Sequence, residues 1–333
     1  MKKRFRIAPL LLLIALAASG KGYAQDKFPL RYGTTSSIHN LPVWVAKSAG
    51  LLAKYGLDVE VILVRGGTLN IMGIIADRLQ LSSVGTEAVV GARAQGADVA
   101  LLACAADADL VYVIKRPEIK SPADLKGKAS AVTRLGGTTH YYLRVGLRLL
   151  GLDADKDITV LQLGRSTDVA SALERGQIAV AALPYAYALP LLEKNWPVLV
   201  ELSKAGIKYP PACVVSTRAY IKKNPKVVEN FLKAYVEAIY RIKQDNRLGE
   251  DVYMRFTRET NRELVRKIIR VYSETFKRVP YASDEGIETV LADQATRSPI
   301  PKELFGHPEY FRDNGPLEKI EKSGFIDRLY QRQ

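Results

Sequence analysis

The sequence predicts an α/β fold of two lobes, and three observations predict it. Short apolar stretches of strand type alternate with amphipathic helices from Pro29 to about Trp196, the pattern of parallel sheets covered by helices. The alternation comes in two sets, and a chain of 333 residues suits two cores better than one. From Asn224 onward the pattern is helical only, which reads as a C-terminal helical extension of the first lobe.

The first set runs strand FPLRYG, helix NLPVWVAKSAGLLAKYG ending at Gly56, strand LDVEVILV, helix TLNIMGIIADRL, strand LSSVG, helix TEAVVGARAQG and strand DVALLACAA. LVYVIKRP then leads to SPADLKGK, where Ser121 before a proline marks a helix start. The second set is KASAV, the TTHYYLRVGLRLLG helix, ITVLQLG, the STDVASALERG helix, IAVAALP and the YAYALPLLEKNW helix. PVLVELS and ACVVSTRAY are expected strands, the latter returning the chain to the first lobe. In the helical tail, Val228, Phe231, Leu232, Tyr235 and Ile239 recur at the spacing of one buried face. The stretches 64–85 and 163–183 echo each other, each running loop, helix, Arg-x-Gln turn and strand. The expected boundaries are 25–113 for the first part of lobe 1, 114–212 for lobe 2, and 213–333 for the rest of lobe 1.

The N-terminus carries Lys2, Lys3, Arg4 and Arg6, then IAPLLLLIALAA, then small residues up to Gly22-Tyr23-Ala24. That is the pattern of a secretory signal peptide over residues 1–24. Its apolar core is short of the ~20 residues that span a bilayer, so an exported, periplasmic chain that does not span the membrane is expected. The formal charge is +14; setting aside the leader's five bases, and no acids, leaves +9. The bases are dispersed, and between Arg255 and Lys277 they alternate with Glu259, Glu263 and Glu274. A solvated helix face fits this better than a nucleic-acid interface. Cys104 and Cys213 both sit in apolar surroundings, LLACAA and PACVVS, and the favoured expectation is two buried, unpaired thiols.

Several stretches carry a resemblance. GTTSSIHNLPVWVAKSAGLLAKYGLDVEVI, IKSPADLKGK, GLDADKDITVLQLG, ERGQIAVAALPYAYA and KNPKVVENFLKAYVEAI occur in the order found in the nitrate/sulfonate/taurine family of ABC-transporter substrate-binding proteins. The chain resembles that family from about Pro29 to Gln294, and departs from it at Leu79, Ser82 and Ala179. The resemblance implies a type II periplasmic-binding-protein fold: two α/β lobes around a ligand cleft, with the chain crossing twice. It also implies a small-molecule ligand, a permease and an ATPase subunit as partners, and a monomer. The same fold family includes a pyrimidine-forming enzyme of thiamine synthesis, marked by a cysteine-rich motif that two cysteines cannot supply.

In open α/β sheets ligands sit beyond the carboxyl ends of the strands. The loops there supply the candidate ligand residues: Ser36, Ser37 and His39; Gly67 and Thr68; Thr86 and Glu87; Gly137, Thr138, Thr139 and His140; and Tyr185. Small residues let a ligand approach backbone N–H groups, and hydroxyls donate or accept. His39 and His140, expected on opposite lobes, would clamp an anion when protonated or hydrogen-bond a polar group when neutral. Glu87 would repel an anion and suit an amine-bearing or pyrimidine ligand. Two histidines and one nearby acid fall short of a metal set, so neither metal nor cofactor is expected. No G-x-x-x-x-G-K-[ST], G-x-S-x-G or H-E-x-x-H motif is present. The favoured reading is therefore a binder of a small polar or anionic solute (sulfonate, nitrate, carboxylate) that delivers it to a permease. Binding of a pyrimidine or other amine, a receptor's sensing partner, and, last, an exported enzyme are the alternatives.

Overall fold

The computed structural model describes residues 28–331; the expected leader, residues 1–24, lies outside them. The chain begins with β1 (Phe28–Thr34), β2 (Leu57–Leu63), β3 (Leu81–Val84) and β4 (Val99–Ala103). It then crosses and lays down β5 (Val111–Lys115), β6 (Ala129–Val132), β7 (Thr159–Gln162), β8 (Val180–Pro184) and β9 (Val198–Glu201). It crosses back as β10 (Cys213–Thr217). The first sheet has the order β2-β1-β3-β10-β4 and the second β7-β6-β8-β5-β9.

These two orders correspond strand for strand. In each sheet three parallel strands are followed by an antiparallel one in fourth place, β10 in the first and β5 in the second. That strand also pairs with the outermost strand beyond it. Two lobes built on one plan result, with the second crossing delivering β10 into the first sheet. The echoing stretches occupy equivalent places: α3 (Gly67–Ile75) leads into β3, and α6 (Ser166–Glu174) leads into β8.

Helices follow the carboxyl ends of the parallel strands: α1 (Leu41–Ser48) after β1, α3 after β2, and α4 (Thr86–Ala94) after β3. In the second lobe α5 (Thr138–Arg148) follows β6, α6 follows β7, and α7 (Tyr185–Glu193) follows β8. The single helix expected up to Gly56 is two. Gly50 takes a left-handed conformation (φ 69°), which ends α1 before α2 (Leu51–Lys54) begins. After β10 come α8 (Arg218–Lys223), α9 (Pro225–Gln244), α10 (Asn246–Thr257), α11 (Arg262–Thr275) and α12 (Asp284–Ala295). The predicted apolar face of α9 is buried throughout, and Phe231 stacks on Tyr32 of β1 with ring centroids 5.2 Å apart. Among the described residues no helix is long and apolar enough to cross a membrane.

The two cysteines correct the expectation of free thiols. Cys104 and Cys213 form a disulfide. They were far apart in sequence, but β10 runs antiparallel beside β4, which brings the residue after one strand against the first residue of the other. The bond staples the points where both linkers, 104–110 and 202–212, meet the first lobe. It closes a loop with a sequence separation of 109. The double variant Cys104→Ala/Cys213→Ala is expected to lose about 2–5 kcal/mol of unfolding free energy, read from denaturant melts. Reduction of the wild-type protein should give the same shift, and an unchanged midpoint in both would show that the bond does not contribute.

Candidate functional site

The carboxyl ends of the two sheets face each other, and their loops meet. Tyr187 of α7 donates to the Ser36 carbonyl at 3.1 Å, joining the loop after β8 to the loop after β1. Thr138, the first residue of α5, donates to Glu87 Oε1 of α4 at 2.9 Å. Tyr209, in the second linker, donates to Glu87 Oε2 and lies 3.1 Å from Thr138 Oγ1. One carboxyl group thus joins both lobes and the linker. This close approach depends on Gly85, since a Cβ there would lie 2.1 Å from the Tyr209 hydroxyl and 2.2 Å from Glu87 Oε2. Gly67 opens α3 beside the same carboxyl group.

Three of the helices that open here, α3, α4 and α5, have glycine before their first residue (Gly66, Gly85, Gly137) and no side-chain cap. By contrast α8, α10, α11 and α12 are capped by the side chains of Thr217, Asp245, Asn261 and Ser283. A helix start without a side-chain cap leaves N–H groups to be met by something else. At α4 the Glu87 carboxyl supplies part of that need.

The remaining predicted residues are placed as follows. His39 is fully buried, 3.1 Å from Asp109 Oδ1, edge-on to Tyr272. Thr86 donates to the Pro210 carbonyl at 2.7 Å, tying α4 to the linker. Thr139 Oγ1 accepts from the Thr133 backbone N–H and bonds its hydroxyl. His140 Nδ1 accepts from the Gly136 backbone N–H at 2.9 Å. Burial, with the Arg144 charge beside it, pushes the His140 imidazole down to about 4. The ring is therefore neutral at physiological pH, which leaves it the hydrogen-bonding role and not the ionic one. Ser37 accepts from the His39 backbone N–H, and Thr68 is exposed on the first turn of α3. Tyr185 is half-buried, its ring 6.1 Å from Tyr112 and 6.3 Å from Tyr272. The structure brings Gly67, Glu87 and Thr138 into one cluster and Ser36 to the facing loop; His39 goes instead to a second carboxylate.

That second carboxylate, Asp109, sits in the first linker. It accepts from Tyr142 of α5 at 2.9 Å, from Tyr272 of α11 at 3.1 Å, and from the Leu110 backbone N–H at 2.8 Å. Burial would raise it, but His39 and the two tyrosine donors outweigh burial and hold it below the ordinary carboxylate value. Tyr142 also packs edge-on to Tyr209 at 5.1 Å. A band of Tyr185, Tyr272, Asp109, Tyr142, Tyr209 and Glu87 therefore runs between the lobes. Asp109, Tyr209 and Tyr272 were not among the predicted residues. The acids of ADADL and the prolines after Tyr209 mark the crossings; Tyr272 reads as core on the apolar face of α11 and carries no signal of its own. Among the described residues no group of three or more His, Cys, Asp or Glu is placed to hold a metal ion.

Glu87 behaves oppositely to Asp109. Burial pushes its carboxyl above the ordinary value, although Tyr209, Thr138 and the Arg144 charge pull the other way. A folded-state value above the unfolded one gives stability that is full below the unfolded pKa and lost as pH rises through the folded value. Glu87→Gln removes that loss. It is expected to change the melting temperature little at about pH 4 and to raise it at about pH 8. A variant less stable than wild type at the higher pH would mean that the ionised carboxylate holds the cluster together.

The chain's relatives share this architecture. The NMT1/THI5-like family model matches residues 38–246. A Bacillus subtilis protein named provisionally as an aliphatic sulfonates-binding protein is 26% identical over 257 residues, 74% of this chain and 75% of its own. A Bordetella bronchiseptica protein structure superposes with a TM-score of 0.77 at 21% identity, covering 89% of this chain and 98% of its own. The periplasmic nitrate-binding protein NrtA of Synechocystis PCC 6803 gives a TM-score of 0.74 at 13% identity, with 90% of each chain covered. The likeness in structure extends over both lobes, and the family model spans more than half of the sequence. This chain belongs to the NMT1/THI5-like family and has the fold of the periplasmic binding proteins.

Proposed function

We propose that this chain is an exported, monomeric solute-binding protein that takes one small polar solute between its lobes. It then hands the solute to an ABC-transporter permease driven by a separate ATPase subunit. The proposed division has lobe 1 in two parts, on either side of lobe 2, with a leader removed before Gln25. The observation that carries the reading is the bond between Thr138 and Glu87. It joins helix starts on opposite lobes, the contact that closure over a solute between them would make. The names of these relatives, sulfonate-binding and nitrate-binding, support a binder over an enzyme.

Glu87 bears on the kind of solute. A carboxyl group already stands where the two helix starts converge, so a small anion would meet it at close range. A neutral or amine-bearing solute would instead donate to it, and the half-buried Tyr185 and Tyr112 rings are the candidates to stack on a flat one. This favours the amine-bearing alternative over the sulfonate reading that the relatives suggest.

A thermal-shift panel of sulfonates, nitrate, carboxylates, pyrimidines and amines, followed by titration calorimetry, tests both points. An amine or pyrimidine is expected to bind. Glu87→Gln should then weaken it by about 10- to 100-fold, the cost of a hydrogen bond to a charged group. For a sulfonate or nitrate the same variant should hold or tighten binding, which would return the reading to the anionic class. Bound solute should also reduce the radius of gyration in small-angle scattering, because closure is a hinge motion. Product formed from a panel member would overturn the transport reading.

A further inference from the structure

A group of donors without partners lies on another flank of α5. Arg144 is 4% exposed, yet its guanidinium makes one long hydrogen bond, from Nη2 to Asp293 Oδ2 at 3.4 Å. Its Nε and Nη1 have no partner among the described residues. The same holds for the hydroxyl of Tyr141, fully buried, and for Nε2 of His140, 8% exposed. On a helix, residues three and four apart are neighbours, so Arg144 stands beside both. Because His140 Nδ1 accepts from Gly136, the neutral ring carries its proton on Nε2, facing Asp155 at 3.6 Å, beyond hydrogen-bond reach. Every unpartnered atom of this group is a donor.

The charges point the same way. Asp293 of α12 takes Arg148 at 2.6 Å and Arg297 at 3.0 Å as well as Arg144, three guanidinium groups on one carboxylate. Asp155, the other acid near Arg144, is exposed. Glu87, whose oxygens accept from Thr138 and Tyr209, feels the Arg144 charge but makes no hydrogen bond to it among the described residues. Buried charge and buried donors without acceptors are costly. A small oxyanion is the chemical class that meets several N–H and O–H donors and surplus positive charge together.

We propose that Arg144, Tyr141 and His140 form a site for a small tetrahedral or planar oxyanion at the seam between α5 and α12. The site adjoins the Thr138–Glu87 bridge without sharing its bonds: Arg144 lies six residues along α5 from Thr138, about 9 Å down the axis, and its charge acts on Glu87. It goes beyond the solute reading and does not depend on it. Because α5 belongs to lobe 2 and α12 follows β10 of lobe 1, the bound anion bridges the two.

The test uses inorganic sulfate and phosphate on the purified protein, with sodium chloride at matched ionic strength as control. The expected result is a rise in melting temperature that saturates with anion concentration, unlike the unsaturating effect of an excluded salt. Tyr141→Phe keeps the ring stacked on Tyr209, 4.6 Å between centroids, and removes only the unpartnered hydroxyl. It should fold as wild type and weaken sulfate by about tenfold or more. Arg144→Met should abolish the saturable effect. Should Arg144→Met fail to fold, Tyr141→Phe decides alone. A sulfate response no greater than the chloride control, or one equally strong in Tyr141→Phe, overturns the proposal and leaves water as the partner of these donors.

Discussion

Asp109 is a carboxylate taken out of water inside a linker, and a buried charge survives only where donors surround it. Its donors come from both sides of the molecule: Tyr272 from α11, packed on the first lobe, and Tyr142 from α5 on the second, with His39 in contact. The relative position of the lobes is therefore registered at one side chain. The Cys104–Cys213 bond lies at the first-lobe end of the same linker and joins it to the returning one. The covalent staple at the first-lobe end of 104–110 and the charged hub at its second-lobe end leave that linker little freedom.

The two buried carboxyl groups divide the work. Asp109, with His39 beside it and two phenolic donors, is ionised and structural. Glu87 is raised by burial and lies at the start of α4, where a carboxylate would in other settings be favoured by the helix dipole. Desolvation and the dipole compete there, and desolvation is the larger effect. A group poised in this way gains from any partner that supplies a proton or a positive charge. The glycine turn of the stretch RLGGTTHYYLR meets that carboxyl group through Thr138, whereas the proposed anion site lies about a turn further along α5. The histidine of the stretch is neutral and engaged with Gly136, and Thr139 is engaged with Thr133. Of its polar side chains, Thr138 reaches across to the other lobe.

Much of the fold was legible because periodicity and turn residues report local structure directly. The α5 helix, the α9 face and the Ser121 start, which forms a capping box with Asp124, all follow from neighbours in sequence. The split at Gly50 was missed because Ala49-Gly50-Leu51 continues the helical apolar pattern, and only the left-handed backbone breaks it. The disulfide was illegible for a different reason. Which strands become neighbours is decided by topology, and nothing in LLACAA or PACVVS states that β10 lies beside β4. The site divides in the same way: loops after strands named Glu87 and Thr138, whereas Tyr209 and Asp109 come from linkers. Tyr272 sits on an amphipathic face where every third or fourth residue is apolar, so its hydroxyl's role depends on what the face meets.

Among the described residues the lobes are joined directly by Arg144 and Arg148 on Asp293 and by three weaker bonds. Tyr187 with Ser36 and Thr138 with Glu87 are single hydrogen bonds, each worth about 1 kcal/mol net. Lys267 with Glu193 is an ion pair with both side chains about half exposed, where solvent screening leaves little net gain. Against them stand the costs of a desolvated Glu87 and of donors on Arg144 and Tyr141 left without acceptors. A ligand shifts such an equilibrium only by its difference in affinity for the two states. Groups that are solvated when open and unsatisfied when closed are where that difference is largest, because a partner there removes a penalty as well as adding a bond. The residues that make the empty closed state least comfortable are thus the ones through which a bound solute or ion would hold it shut.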